Sequence, residues 1–130
     1  MKVHEMNYRV CYADTDRMGV VYYANYLVFF ERSRTEFLRD AGLPYATLEA
    51  SGIALPVAEA HCEYKASATY DDLLIFKSWP EMIKGARVKI ASEVWRDDTL
   101  LCRGYVVLVC VNQAGRPVKP PSELVAVCKL

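Results

Sequence analysis

Downstream of residue 54 the sequence is dominated by segments of period two. ALPVAEAHCEY (54–64), LLIFKSW (73–79), RVKIASEVWR (87–96), LLCRGYVVLVCV (100–111) and LVAVC (124–128) read as strands. Asp71-Asp72, Lys84-Gly85, Asp97-Asp98 and Ala114-Gly115 mark turns between them. Links this short between consecutive strands demand antiparallel pairing, because a parallel crossover takes a dozen residues or more. Upstream, NYRVCYA (7–13) alternates and predicts a first strand, with Tyr8, Val10 and Tyr12 on one face.

A single long helical pattern precedes the strands. It runs from Asn25, placed as the N-cap, to about Asp40. Gly42 suits a left-handed stop and Pro44 blocks continuation, leaving PYATLEASG as a connection. Leu27, Phe30, Phe37 and Leu38 share a face, with Arg34 between them. YLVFF (26–30) is apolar nearly all round, so other structure wraps it. The expected architecture is α+β, one domain over residues 1–130, with a long antiparallel sheet curled around one central helix. One helix cannot protect both edges of such a sheet, which predicts edge-to-edge dimerisation.

Composition excludes several classes. Apolar residues at 53% against 25% charged suit a packed core rather than disorder. Lys plus Arg and Asp plus Glu both number 16, so no bulk charge attracts nucleic acid. No apolar run approaches the ~20 residues of a membrane span, and the N-terminus lacks a signal core. The five cysteines are odd in number and contain no CxxC pair, which suits free thiols in a reducing cytoplasm.

YADTDRMGVVYYANY (12–26) carries the chemistry. Asp14 and Asp16 precede an apolar segment and a helix start. A helix N-terminus offers unpaired N–H groups and roughly half a positive charge, which polarise a carbonyl. A carboxylate beside it can attack that carbonyl or activate water. Gly19 lets the loop approach a ligand closely. Acids before a helix also serve as caps and turn formers, and the residues alone leave both readings open. A DxD metal site lacks a partner loop for phosphate, so no metal is expected. Glu31 and Arg34 are spaced for an i,i+3 pair. His61 alternates with Glu59 and Glu63 on a polar face, and His4 lies in the terminus. Two histidines do not assemble a Ser-His-Asp or Cys-His triad near Asp16.

YADTDRMGVVYYANYLVFFERSRTEFLRDAGL (12–43), with ATYDDLLIF (68–76) as a weaker second match, resembles the hotdog-fold acyl-CoA thioesterases of the 4-hydroxybenzoyl-CoA type, including the Tol–Pal-associated branch. The resemblance implies an acyl-CoA thioesterase without metal or organic cofactor. It makes Asp16 the catalytic carboxylate, as nucleophile or general base, and the Tyr23 N–H the donor to the thioester oxygen. Tyr23 stands where some members of that branch have histidine. Tyr22, Asn25 and Tyr26 are candidates for the acyl pocket. Coenzyme A brings phosphates, for which Lys84, Arg87 and Lys89, or Arg116 and Lys119, are candidates; solvated turns explain the same residues. The family implies a homodimer or homotetramer with interfacial sites, and acyl carrier protein is a possible partner. Another thioester activity such as hydration, or non-catalytic binding of acyl-CoA or acyl carrier protein, remains the alternative.

Overall fold

The computed structural model describes residues 2–129. Five strands form one antiparallel sheet: β1 (His4–Arg9), β2 (Val57–Tyr64), β3 (Leu73–Lys84), β4 (Arg87–Arg96) and β5 (Thr99–Val109), in the order β1-β3-β4-β5-β2. The sheet curls around α1 (Asn25–Asp40), the hotdog arrangement expected from the sequence. Two short helices, α2 (Tyr45–Ala50) and α3 (Ser122–Val127), pack at the far end of α1.

The strand pairing explains several departures from the sequence reading. β2 pairs with β5, not with its successor β3, so the segment around Asp71-Asp72 is a crossover and not a hairpin. β3 runs through Pro80, where the sequence suggested a stop. Its partner β1 ends at His4↔Ser78, so Pro80 lies where β3 has become an edge, and a register shift follows it. A missing N–H is tolerated there. β1 spans His4–Arg9, earlier than expected, because residues Tyr12–Asp14 tighten into a 3-10 turn; Tyr12 is exposed and stacks on Tyr70. His4 is fixed in that strand by a 2.7 Å contact from Nε2 to Asp40.

The last expected strand is a helix. Pro121 occupies the cap of α3, Glu123 lies in its first turn, and Leu124 and Cys128 are buried four residues apart. A five-residue apolar run fits either element, and tertiary burial decided the period. α2 was read as connection because six residues carry too little periodicity; its one fully buried residue is Leu48.

α1 begins with Ala24, not Asn25, in the cap position, and no side chain caps it. Its C-terminus closes with Gly42 N–H on the Arg39 carbonyl and Leu43 N–H on that of Leu38. Tyr26, Phe29, Phe30, Ser33, Phe37 and Leu38 are buried. Leu27 is 40% exposed and Val28 47%, so the first two turns are not covered all round within one chain. Glu31 and Arg34 do not pair; the i,i+3 pair is Glu36–Arg39, at 3.3 Å.

Two apolar clusters flank the middle of α1. Phe29 and Phe30 anchor one with Leu74, Phe76, Val94 and Leu101, each ring contributing about 1.5–3 kcal/mol by burial. Phe37 and Leu38 anchor the other, with α2 and α3. Between them Ser33 Oγ donates to Ser78 Oγ at 2.9 Å, both residues fully buried. Ser33→Ala is expected to cost about 1–3 kcal/mol in urea unfolding, because Ser78 loses its partner. Adding Ser78→Ala should recover most of that loss.

Candidate active site

The segment 14–22 folds back on itself before α1. Thr15 bridges Val21, Asp16 N–H donates to the Val20 carbonyl at 2.9 Å, and Gly19 N–H donates to the Asp16 carbonyl at 3.0 Å. Gly19 has φ 80°, a conformation that costs a residue with a Cβ roughly 1–2 kcal/mol. A Cβ there would meet no atom within 4 Å, so the requirement for glycine is conformational and not steric. The loop is pinned to the crossover by Val21 N–H on the Ala68 carbonyl and by the Val20–Thr69 bridge.

The two acids do different work. Asp14 Oδ2 accepts the Tyr8 hydroxyl at 2.7 Å, the Cys11 N–H at 2.9 Å and the Cys11 thiol at 3.2 Å. Burial, then the Asp14 carboxylate, hold the Tyr8 phenol above its ordinary pKa. The Asp14 carbonyl accepts Tyr22 N–H at 2.9 Å and Asn25 Nδ2 at 2.8 Å. Asp14 thus ties β1 to the helix start. Asp16, half-buried, accepts only Met18 N–H, on Oδ1 at 2.8 Å. Among the described residues nothing donates to its Oδ2.

The helix start supplies donors. Asn25, Tyr26 and Leu27 N–H groups close onto Tyr22, Tyr23 and Ala24 carbonyls. Among the described residues, Tyr23 and Ala24 N–H groups have no acceptor. The Tyr64 hydroxyl donates to the Tyr23 carbonyl at 2.9 Å, fixing the peptide that follows Tyr23. A cavity of about 310 Å³ is lined by Asp16, Val20, Tyr23, Tyr26 and Tyr64, with Lys65 and Ser67 at the end of β2. Asp16, with an unpaired carboxylate oxygen, and Tyr23, with an unpaired amide at a positive helix end, therefore line one cavity, a setting suited to carbonyl chemistry.

The remaining candidates divide. Tyr26 lines the cavity with its ring 2% exposed, its phenol pushed up to about 12 by burial against the pull of the Ala68 backbone. Tyr22 is exposed and leans on Tyr23 at 4.7 Å, outside the cavity lining. Asn25 is occupied by the Asp14 carbonyl and does not line the cavity either. Lys84, Arg87 and Lys89 sit at the β3–β4 turn, the opposite end of β3 from the Asp16 loop. Eleven strand steps separate the two ends, on the order of 30 Å. Lys89 is moreover paired with Glu81 at 3.3 Å and lies over the Tyr105 ring. Arg116 and Lys119 belong to the loop after β5, which is bonded back to Ala86 and Ala54 at that same far end. Within one chain neither basic cluster reaches Asp16. His61 is on the surface, 3.5 Å from Glu63.

Sequence reasoning did not find Tyr64, Lys65 and the Ala24 N–H. The first two arrive through β2–β5 pairing, with Lys65 N–H on the Leu101 carbonyl, a contact no local pattern encodes. The ATYDD motif marked the buttress of the loop. Asp72 Oδ2 accepts Thr69 N–H and Arg96 Nη1, both at 2.9 Å. Burial works to raise the Asp72 pKa, but the Thr69 and Arg96 donors outweigh it and hold it below the usual range.

The family model of the Thioesterase-like superfamily matches residues 10–127. This chain belongs to that superfamily. The acyl-CoA thioesterase YbgC of Haemophilus influenzae is 38% identical over 120 residues, 91% of this chain and 88% of its own length. The acyl-CoA thioester hydrolase YbgC of Escherichia coli O157:H7 is 36% identical over 120 residues, covering 91% and 90%. A crystal structure of a hypothetical protein from Aquifex aeolicus superposes with a TM-score of 0.92 at 30% identity, covering 96% of this chain and 98% of that one. A variant of 4-hydroxybenzoyl CoA thioesterase crystallised with 4-hydroxybenzoyl CoA gives 0.90 at 21% identity, covering 99% and 100%, and shares the fold. The hotdog architecture and the family resemblance read from the sequence both hold for this superfamily member.

Proposed function

We propose that this protein hydrolyses acyl-CoA thioesters to free acid and coenzyme A. One observation carries the reading: Asp16 keeps an unpaired carboxylate oxygen in the cavity where Tyr23 presents an unpaired N–H. The amide N–H donates to the thioester oxygen as negative charge develops on it, and the helix dipole favours that charge. Asp16 either attacks the carbonyl carbon, expelling the thiolate of coenzyme A and leaving a mixed anhydride that water then cleaves to the acid and free Asp16, or takes a proton from a water that attacks the carbon and expels the thiolate, to which that proton passes. These groups suffice for hydrolysis without a metal or organic cofactor. The names of the YbgC relatives agree with this substrate class. The test is thiol release, followed with a colorimetric trap, from aromatic, short and long acyl-CoAs and from acyl carrier protein thioesters. No release from any of them would leave binding without turnover as the activity.

Gly19→Val should lower turnover at least tenfold while Tyr23→Phe changes it little, because the first strains the turn and the second keeps the amide. Gly19→Asn, which tolerates left-handed φ, should recover much of the loss. Abolition of turnover by Tyr23→Phe in a folded protein would instead make the phenol the chemical group.

Assembly belongs to the same proposal. β2 is an edge strand exposed along its length except for half-buried Cys62. Such an edge is a template for pairing, and Leu27 and Val28 add exposed apolar surface on α1. The working form is a homodimer or homotetramer, and sedimentation at micromolar concentration should show no monomer. A stable, active monomer would overturn this part. Lys84, Arg87, Lys89, Arg116 and Lys119 are left out of the proposed site within a chain. The described cysteines are all unpaired, which agrees with the cytoplasm as the compartment, and no described helix is long and apolar enough to cross a membrane.

A further inference from the structure

No described side chain caps α1, although helix starts are commonly tied by a Ser, Thr, Asp or Asn oxygen that accepts helix N–H groups. The tie comes from the opposite direction. The Tyr64 hydroxyl, 41 residues further along the chain, donates to the Tyr23 carbonyl at 2.9 Å. A capping oxygen sets partial negative charge against the positive helix end. A donor placed on a carbonyl fixes the backbone there without adding an acceptor for the helix N–H groups.

That bond completes the restraint on Tyr23. The peptide carrying the Tyr23 N–H is held through the Tyr22 carbonyl, which accepts Asn25 N–H at 2.9 Å. The following peptide is tied by Tyr26 N–H on the Tyr23 carbonyl at 3.3 Å, longer than the usual N–H···O bond. Tyr64 supplies the shorter contact to that same oxygen. With both flanking peptides held, φ and ψ of Tyr23 are set. So are the directions of the Tyr23 and Ala24 N–H groups, which have no acceptor among the described residues. Donation onto a carbonyl also polarises the amide of its own peptide, here that of Ala24.

Tyr64 is itself well placed to hold. It ends β2 opposite Cys102 of β5, and the next residue bonds Lys65 N–H to the Leu101 carbonyl at 2.8 Å. Its ring meets Tyr26 edge-on at 5.4 Å and Tyr23 at 6.3 Å. Those contacts need the ring alone, and only the carbonyl bond needs the hydroxyl. Both ends of that bond belong to one chain, and Tyr23 and Tyr64 both line the Asp16 cavity.

We propose that Tyr64 is a positioning residue of the thioester site: its hydroxyl holds Tyr23 so that the backbone N–H meets the oxygen on which charge develops. It acts through Tyr23 rather than on the substrate, and the inference rests on the acyl-CoA reading. An interaction that strengthens in the transition state appears in kcat more than in KM.

Tyr64→Phe tests it. Turnover of the acyl-CoA that wild type hydrolyses fastest should fall at least tenfold in kcat, with KM within about twofold; removal of an oxyanion donor outright costs more, about 100- to 1,000-fold. The melting temperature should fall by no more than about 5 °C, because one half-exposed hydrogen bond is lost. Tyr64→Leu, which removes the ring as well, should lose further stability but no further kcat per folded molecule. A readout without turnover uses the infrared carbonyl band of carbonyl-¹³C benzoyl-CoA bound to Asp16→Asn. The band should lie below its position in water, and adding Tyr64→Phe should remove at least half of that shift. A kcat per folded molecule within twofold of wild type, a raised KM with kcat intact, or a carbonyl band that Tyr64→Phe does not move each overturns the proposal. Binding of benzoyl-CoA without any thiol release would sink the hydrolytic reading, and the carbonyl band would then decide this one. If no thioester binds, both fall.

Discussion

Asp16→Asn is expected to lower turnover by about a hundredfold or more on every acyl-CoA that the protein accepts, the effect typical of a lost acid–base group. Its melting temperature should not change. The amide oxygen of asparagine can still accept Met18 N–H, the one hydrogen bond that the Asp16 carboxylate makes among the described residues, so the turn persists. What disappears is the charge and basicity of the unpaired oxygen. Asp14→Asn should behave in the opposite way. Its Oδ2 accepts three donors, and an NH₂ group in that place faces them with a fourth. A stability loss of about 1–3 kcal/mol is expected, from groups left without an acceptor. Thiol release and thermal unfolding measured on both variants separate the roles. Wild-type turnover in Asp16→Asn would remove Asp16 from the chemistry.

Gly104→Ala is expected to produce the largest loss of stability of any single methyl group considered, about 3 kcal/mol or more. Gly104 lies on β5 between Cys62 of β2 and Ser92 of β4. An added Cβ would collide with the His61 carbonyl oxygen and come within 2.7 Å of Phe30 Cε2. The first obstacle is the backbone of the neighbouring strand and the second a fully buried ring on α1, so neither can swing aside. Relief requires β2 to move away from β5. Because β2 also carries Tyr64 to the Tyr23 carbonyl, such a shift would loosen the helix start as well. Urea unfolding gives the stability, and the same samples assayed for thiol release report the site. A cost below about 1 kcal/mol would mean that the strand pair relaxes more easily than a packed interior allows.

Much of this molecule follows from local pattern. The period-two segments read at 54–64, 87–96 and 100–111 became β2, β4 and β5, and the helix read from an Asn25 cap to about Asp40 became α1, which starts one residue earlier with Ala24 as its cap. Alternation and the 3.6-residue repeat are local properties, so a sequence displays them directly. The ADTDRMG motif located the loop, the glycine and the helix start, because a left-handed turn and a helix N-terminus have local requirements too. Tertiary structure decided the rest. LVAVC became a helix because burial of Leu124 and Cys128 outweighed the strand propensity of its valines. Pro80 stayed within β3 because β1 had already ended beside Ser78. Residue type and spacing could not divide Asp14 from Asp16, since either acid there can cap or catalyse, and only the family resemblance pointed to Asp16. Tyr8 and Cys11 occupy the Asp14 carboxylate, and β2–β5 pairing brings Tyr64 and Lys65 beside Asp16. The basic clusters were candidates for phosphate on charge alone, and within one chain the length of β3 holds them away from the Asp16 loop. Which polar atoms are already paired depends on partners distant in the chain, and that accounting exists only once the sheet has closed around its helix.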